Sequence, residues 1–97
     1  GLVGSEMCIR DSPCPLTEYE DWLAQVEEEQ ARRKMLGVMN FGEIVIDASH
    51  TALLTRAFAP LADDATSVWQ ARSIQFIHLL DEIVQEPAIY LMARKIA

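Results

Sequence analysis

The apolar positions of this chain fall into four stretches, each readable with helical spacing. In the first, Tyr19, Trp22, Leu23 and Val26 recur at three- and four-residue intervals, the mark of an amphipathic helix. Thr17 stands in the N-cap position, and Glu20, three residues later, completes a capping box. Glu18, Glu20 and Asp21 crowd the first turn and Arg32, Arg33 and Lys34 the last, so both ends suit the helix dipole. Glu28–Arg32 and Glu29–Arg33 add i,i+4 pairs, and Gly37 can end the element. The pattern predicts one helix over residues 17–36. Its apolar stripe lapses between Val26 and Met35. A helix with so few anchors is stable mainly when something packs on it, which predicts a protein partner, or the remainder of a parent chain, on helix 17–36.

The second stretch reads two ways. Asn40 and Glu43 form another capping box, and Ile46, His50, Leu53, Leu54, Ala57, Phe58 and Leu61 make one broad apolar face. This favours a helix over residues 41–59, ended by Pro60. Against it, Ile44, Val45 and Ile46 are β-branched and follow Gly42, so residues 43–47 could be a short strand, with Asp47 or Ser49 capping a later helix. In the third stretch Asp63 or Asp64 caps a helix over 65–85, with Trp69, Phe76, Ile77, Leu80 and Ile83 as its core stripe. Pro87 then suits the first position of a fourth helix, with Ile89, Met92, Ala93 and Ile96 on its face. Trp22, Phe58, Trp69, Phe76, Ile77 and Leu80 are expected to meet in one core. The predicted fold is all-α: three to four helices in an antiparallel hairpin array or bundle, a fragment of a larger domain.

The opening residues, GLVGSEMCIRDS, join none of these patterns. Glu6, Arg10 and Asp11 interrupt any apolar run, which excludes a signal peptide. The whole string resembles a translated sequencing-adapter read-through, of the kind found at the front of reading frames assembled from environmental or transcript reads. That resemblance implies that residues 1–12 carry no packing. The domain reading is a non-native or disordered segment over residues 1–15 and a single helical domain over 16–97, truncated at its C-terminus.

Composition narrows the function classes. Of 97 residues, 8 are Lys or Arg and 15 are Asp or Glu, for a net charge of −7. That sign disfavours a nucleic-acid backbone and an anionic membrane surface. Apolar residues make up 51% of the chain and charged residues 24%, as in a globular protein rather than a disordered one. No apolar run approaches the ~18 residues of a membrane helix. Beyond Cys8 in the opening string, Cys14 is the one remaining cysteine. It supports no CxxC motif or cysteine-rich zinc site and suits a cytoplasmic, reducing setting.

Three chemistries are worth weighing. Asp47-x-x-His50 and Gln75-x-x-His78, with Glu82 one turn further, resemble the carboxylate–histidine spacing of di-iron helical bundles. Gln is a poor ligand, however, and the additional carboxylates do not recur at matching spacing. Counting outward from a turn near Leu61–Ala62 places His50 and His78 about 7–8 Å apart in level, so no bound transition metal or other cofactor is expected. "SIQFIHLLDE" can be read as a Walker-B-like strand ending in Asp81-Glu82. Gly37 and Gly42 have P-loop spacing, but Glu43-Ile44 stand where Lys-Ser/Thr are required. Trp69-x-x-Arg72-Ser73 is faintly similar to the helical part of type IV secretion and conjugation ATPases. Ser49, His50 and Thr51 are chain neighbours that do not face one another on a helix, so they make no catalytic triad. Arg56 and Arg72 are readable as ion-pair partners for Asp47 or Glu43, or as face residues. The sequence alone points to a non-catalytic helical protein-interaction or scaffolding segment of a larger intracellular protein. The alternatives are an NTPase fragment or a helical metal-dependent oxidoreductase.

Overall fold

The structure, a computed structural model, describes residues 6–9 and 12–96. Strands β1 (Glu6–Ile9) and β2 (Ser12–Pro15) lead into helices α1 (Leu16–Ala24) and α2 (Glu29–Phe41). Strand β3 (Glu43–Ile46), helices α3 (Thr51–Ala62) and α4 (Gln70–Gln85) and strand β4 (Leu91–Ile96) complete the chain. The strands form an antiparallel sheet in the order β2-β1-β4-β3. The fold is therefore mixed α and β. The all-α bundle expected from the sequence is corrected at three places, and each has a physical reason.

The first is the C-terminal segment, which was expected to restart as a helix at Pro87. It runs through turns and then pairs on both sides, Ala93 lying opposite Ile9 of β1 and Ile44 of β3. Ile89, Met92, Ala93 and Ile96 fit a helical face, but Leu91 and Ala93 fit a strand equally well. A short apolar run cannot separate the two periods, and here two waiting strand edges decide. The second place is residues 43–46, where the strand alternative holds. Ile44 and Ile46 point into the core while Glu43 and Val45 point outward. The helix expected over 41–59 starts only at Thr51 and continues through Pro60 to Ala62.

The third place is the opening stretch. Glu6–Ile9 is not a detached arm but an inner strand of the sheet, and Ile9 is only 7% exposed. Leu2, the other residue on which this expectation turned, lies outside the described residues.

Helix 17–36 is also corrected, because it breaks where its apolar stripe lapses. Gln25 closes α1, its N–H directed at the carbonyls of Leu23 and Trp22. Val26 is buried in the joint, and its carbonyl accepts from Arg32 Nη1 at 2.9 Å. Glu28 Oε1 then caps α2 by accepting from Gln30 N. The bend turns Ala31, Met35 and Val38 into the core, so the under-filled stripe is covered by this chain itself. The Thr17–Glu20 capping box does not form, since α1 begins after Pro15 without a side-chain cap. Gly37 does not end α2. A Cβ there would lie 2.9 Å from Ile44 Cγ2, so its bareness lets the helix sit close on β3. Gly42 ends the helix instead, at φ +85°, with its N–H bonded to the Val38 carbonyl, a left-handed cap that suits glycine.

The centre is aromatic. Trp22 of α1 lies 4.8 Å from Phe58 of α3 and 5.5 Å from Phe76 of α4, ring centre to ring centre, and those two are 4.9 Å apart. Trp22 Nε1 donates to Ser73 Oγ at 3.0 Å in the buried interior. Tyr19 donates its hydroxyl to the Met35 carbonyl at 2.6 Å, tying α1 to α2. Burial, with a smaller contribution from Cys14, pushes the Tyr19 hydroxyl far above its ordinary pKa, so it stays a donor. Leu80 completes the expected cluster, while Trp69 and Ile77 sit half-buried at its margin. Helix α4 begins five residues later than expected, after turns in which Ser67 Oγ accepts from Trp69 N.

Candidate functional site

The four carboxylate and imidazole groups singled out in the sequence divide into two unconnected sets. Asp47 and His50 lie in the joint between β3 and α3. Asp47 Oδ1 accepts from Ser49 N at 2.9 Å and from Ser49 Oγ at 2.6 Å, a turn closed by a side chain. His50 Nδ1 accepts from the Asp47 N–H at 3.1 Å. It also lies 3.2 Å from Asp47 Oδ1. The pair shapes the entry to α3. His78 and Glu82 lie on the exposed side of α4. Among the described residues, no three His, Cys, Asp or Glu side chains stand close enough to hold a metal ion.

Asp47 has a counterpart in Asp64, whose Oδ1 accepts from Thr66 N at 2.9 Å and Thr66 Oγ at 2.6 Å. In each, the side-chain and then the backbone hydrogen bond hold the carboxyl below its usual pKa. A carboxyl depressed in the folded state adds stability above its unfolded pKa of about 3.9, and that contribution is lost as pH falls through the lower folded value. The natural chain should therefore lose more stability between about pH 6 and pH 2 than a D47N/D64N variant. Denaturant midpoints at the two pH values measure this. Equal losses would mean that neither turn is coupled to folding.

The Walker-B-like reading is corrected by position. Asp81 and Glu82 belong to α4, not to the end of a strand, and both are exposed. Gly37 is helical and Gly42 is a helix cap, so no phosphate cradle lies between them.

Among the described residues are two clefts that composition did not signal. One, of about 490 Å³, lies between the α1–α2 joint and α3. Gln25, Glu27, Glu28, Arg56, Pro60 and Asp64 line it. Its acid is partly offset by an ion pair, Arg56 Nη2 to Glu28 Oε2 at 3.8 Å, so Arg56 pairs across helices rather than with Asp47 or Glu43. The other, of about 400 Å³, lies where α4 begins, beside α1. Glu18, Val68, Trp69, Arg72 and Gln75 line it. Arg72 lays its guanidinium over the Trp69 ring, 5.6 Å from the centroid. Its Nη1 is buried and makes no hydrogen bond. Arg72 is thus held by an aromatic face and not by Asp47 or Glu43; in the latter case the pairing partner is Arg94, Nε to Glu43 Oε1 at 3.7 Å. The sequence signal for this cleft was the Trp69-x-x-Arg72 spacing, which puts ring and cation on one helix side.

A family model described as formate hydrogenlyase maturation protein HycH matches residues 3–95. Over 84 residues the chain is 98% identical to hydrogenase-4 component J of Escherichia coli (strain K12), covering 87% of this chain and 61% of that protein. Over 84 residues it is 45% identical to the formate hydrogenlyase maturation protein HycH of the same strain, covering 86% of this chain and 62% of that protein. The chain thus spans less than two thirds of the length of the curated relatives it matches. No solved structure matches it. These matches overturn several sequence expectations. The family match takes in residues 3–12, so the opening stretch is not a sequencing artefact. The secretion-ATPase resemblance, the NTPase and oxidoreductase alternatives and the generic scaffolding reading give way to a family concerned with hydrogenase. No helix among the described residues is long and apolar enough to cross a membrane.

Proposed function

We propose that this chain, which belongs to the formate hydrogenlyase maturation protein HycH family, takes part in the maturation of a hydrogenase. The observation that carries the reading is the family match over residues 3–95. The 98% identity to a hydrogenase-4 component supports the choice of enzyme class. The partner under this reading is a protein, a hydrogenase subunit not yet in its finished state. The surface fits such work. Two shallow clefts of about 400 and 490 Å³ suit side chains of a partner better than a large buried substrate, which is usually almost enclosed. The acidic balance disfavours nucleic acid. The sparse cysteines, with Cys14 buried, fit the reducing cytoplasm.

The name "component" on the relative that is 98% identical favours a second reading, residence in the finished complex. Purified active hydrogenase decides between them: a maturation factor is absent from it, a resident subunit is present in equal amount. The experiment that tests the shared premise is genetic. Cells lacking this protein and its HycH relative should produce less hydrogen from formate, and cells that produce as much as before would remove the premise.

A further inference from the structure

We infer that the outer flank of α4 is an interface with a second copy of this chain, the two α4 helices lying antiparallel across a two-fold axis near Leu79. The inference stands on α4 alone and does not depend on the role in hydrogenase maturation. Helix α4 carries two stripes. The first, Ser73, Phe76, Leu80 and Ile83, is buried in the core. The second is Gln70, Ile74, Ile77, Asp81 and Val84. Its steps of four, three, four and three residues are those of a coiled-coil seam. This seam is centred about 100° round the helix from the buried stripe. Ile74 is 38% exposed and Val84 54%, while Ile77 is half-buried at the core margin. Helix α3 is the main neighbour of α4, and Ile74 and Val84 stay open beside it. Single apolar residues on a surface are ordinary; three at seam spacing form a strip that a second helix can cover.

Polar residues of the strip fix the occupant and its direction. Asp81 interrupts the seam, and His78 borders it next to Ile77. Both are exposed, and neither side chain has a hydrogen bond or ion pair among the described residues. In a parallel pair the two Asp81 carboxylates would meet across the seam, a like-charge contact that is costly. In an antiparallel pair each Ile74 faces Val84 of the second copy. Each Asp81 then lies opposite Ile77 of the second copy, beside its His78, and both layers share one centre at residue 79. There the imidazole N–H can donate to the carboxylate, and the two-fold makes this contact twice. A single polar residue in such a seam costs stability and sets register and direction. The strip is thus complementary to itself, which a two-fold interface requires. Helix α4 has 16 residues, about 24 Å, so the pairing is short and the dimer dissociates on dilution.

The test uses the full-length protein. Sedimentation equilibrium is expected to show a dimer that dissociates on dilution. Ile74→Glu should weaken the association by about tenfold or more, because it sets an unpaired carboxylate against Val84 of the second copy. Val68→Glu, at a residue 85% exposed and outside the seam, should leave it unchanged. Direction is read separately. In a mildly oxidised mixture of Ile74→Cys and Val84→Cys proteins, the mixed disulfide should form in preference to either symmetric one. Peptide mass spectrometry identifies the bridges, with the unsubstituted protein as background. A monomer at every concentration up to about 1 mM would overturn the inference and leave this flank to the rest of the full-length chain or to another protein. A dimer untouched by Ile74→Glu, or symmetric disulfides in excess of the mixed one, would overturn it too. Should Ile74→Glu fail to fold, the disulfide preference still decides, since both cysteines replace part-exposed side chains.

Discussion

Trp22→Ala is expected to destabilise the fold by about 3–5 kcal/mol, the usual range for removing a large buried aromatic. Trp22 is 1% exposed and stands where three helices meet. Its ring faces Phe58 at 4.8 Å and Phe76 at 5.5 Å. Neither neighbour can fill the void without breaking its contact with the other at 4.9 Å. The substitution also strips the buried Ser73 hydroxyl of its donor. For a chain of this size the loss amounts to about 15 °C or more in Tm. Trp22→Phe separates the two contributions. It keeps most of the ring and loses the indole N–H, so it should cost about 1–2 kcal/mol. Thermal melts of the three proteins check the order, and a Trp22→Ala loss under about 1 kcal/mol would mean that Trp22 does not join the helices.

Ala93→Glu is expected to be the most damaging single charge introduced into β4, while Met92→Glu is expected to be mild. Ala93 is fully buried, flanked by Ile9 and Ile44 on the helix-covered side of the sheet. An unpaired carboxylate there carries a penalty of several kcal/mol even after relaxation. That is most of the total stability of about 5–15 kcal/mol that a small domain possesses. Met92 points to the opposite side with Val45. It is half-buried and lies 2.9 Å from Arg94 Nη2 through its sulfur, so a carboxylate at this position would gain a cation. The pair measures the period of the segment. A strand separates neighbouring residues by face, whereas the helix read from the sequence would put Met92 and Ala93 on one buried stripe. Urea midpoints that fall equally for both variants would restore the helix.

The contrast between 91–96 and α4 explains what could be read from the sequence. The α4 stripe of Phe76, Leu80 and Ile83 spans enough turns for the 3.6-residue period to stand out, and all three are buried as expected. Ile44, Val45 and Ile46 were too few to fix a period, and β-branching was the better guide. The break between α1 and α2 was foreshadowed by the lapse after Val26, but well-matched terminal charges argued for one rod. Those cues are worth tenths of a kcal/mol each, less than the burial of Met35 and Val38 that the bend allows. The opening strand pairs locally with β2, but the partner that makes it an inner strand, β4, lies about 84 to 90 residues away in sequence. The site was partly legible. Trp69 and Arg72 share a helix side by spacing alone, but the wall supplied by Glu18 comes from α1 and needs the fold. Asp47 and His50 are neighbours, but in the joint before α3 and not on the face of a helix over 41–59 that the spacing suggested.

The central claim, a part in hydrogenase maturation, is tested most directly by hydrogen output from formate. Both curated relatives occur in Escherichia coli (strain K12), so a strain of that organism lacking both supplies the background. Hydrogen accumulated in sealed, formate-fed anaerobic cultures is predicted to fall well below the parent strain and to return when the full-length gene containing this chain is supplied. Undiminished hydrogen in the doubly deficient strain, or no recovery despite the restored protein being present and folded, would contradict the account.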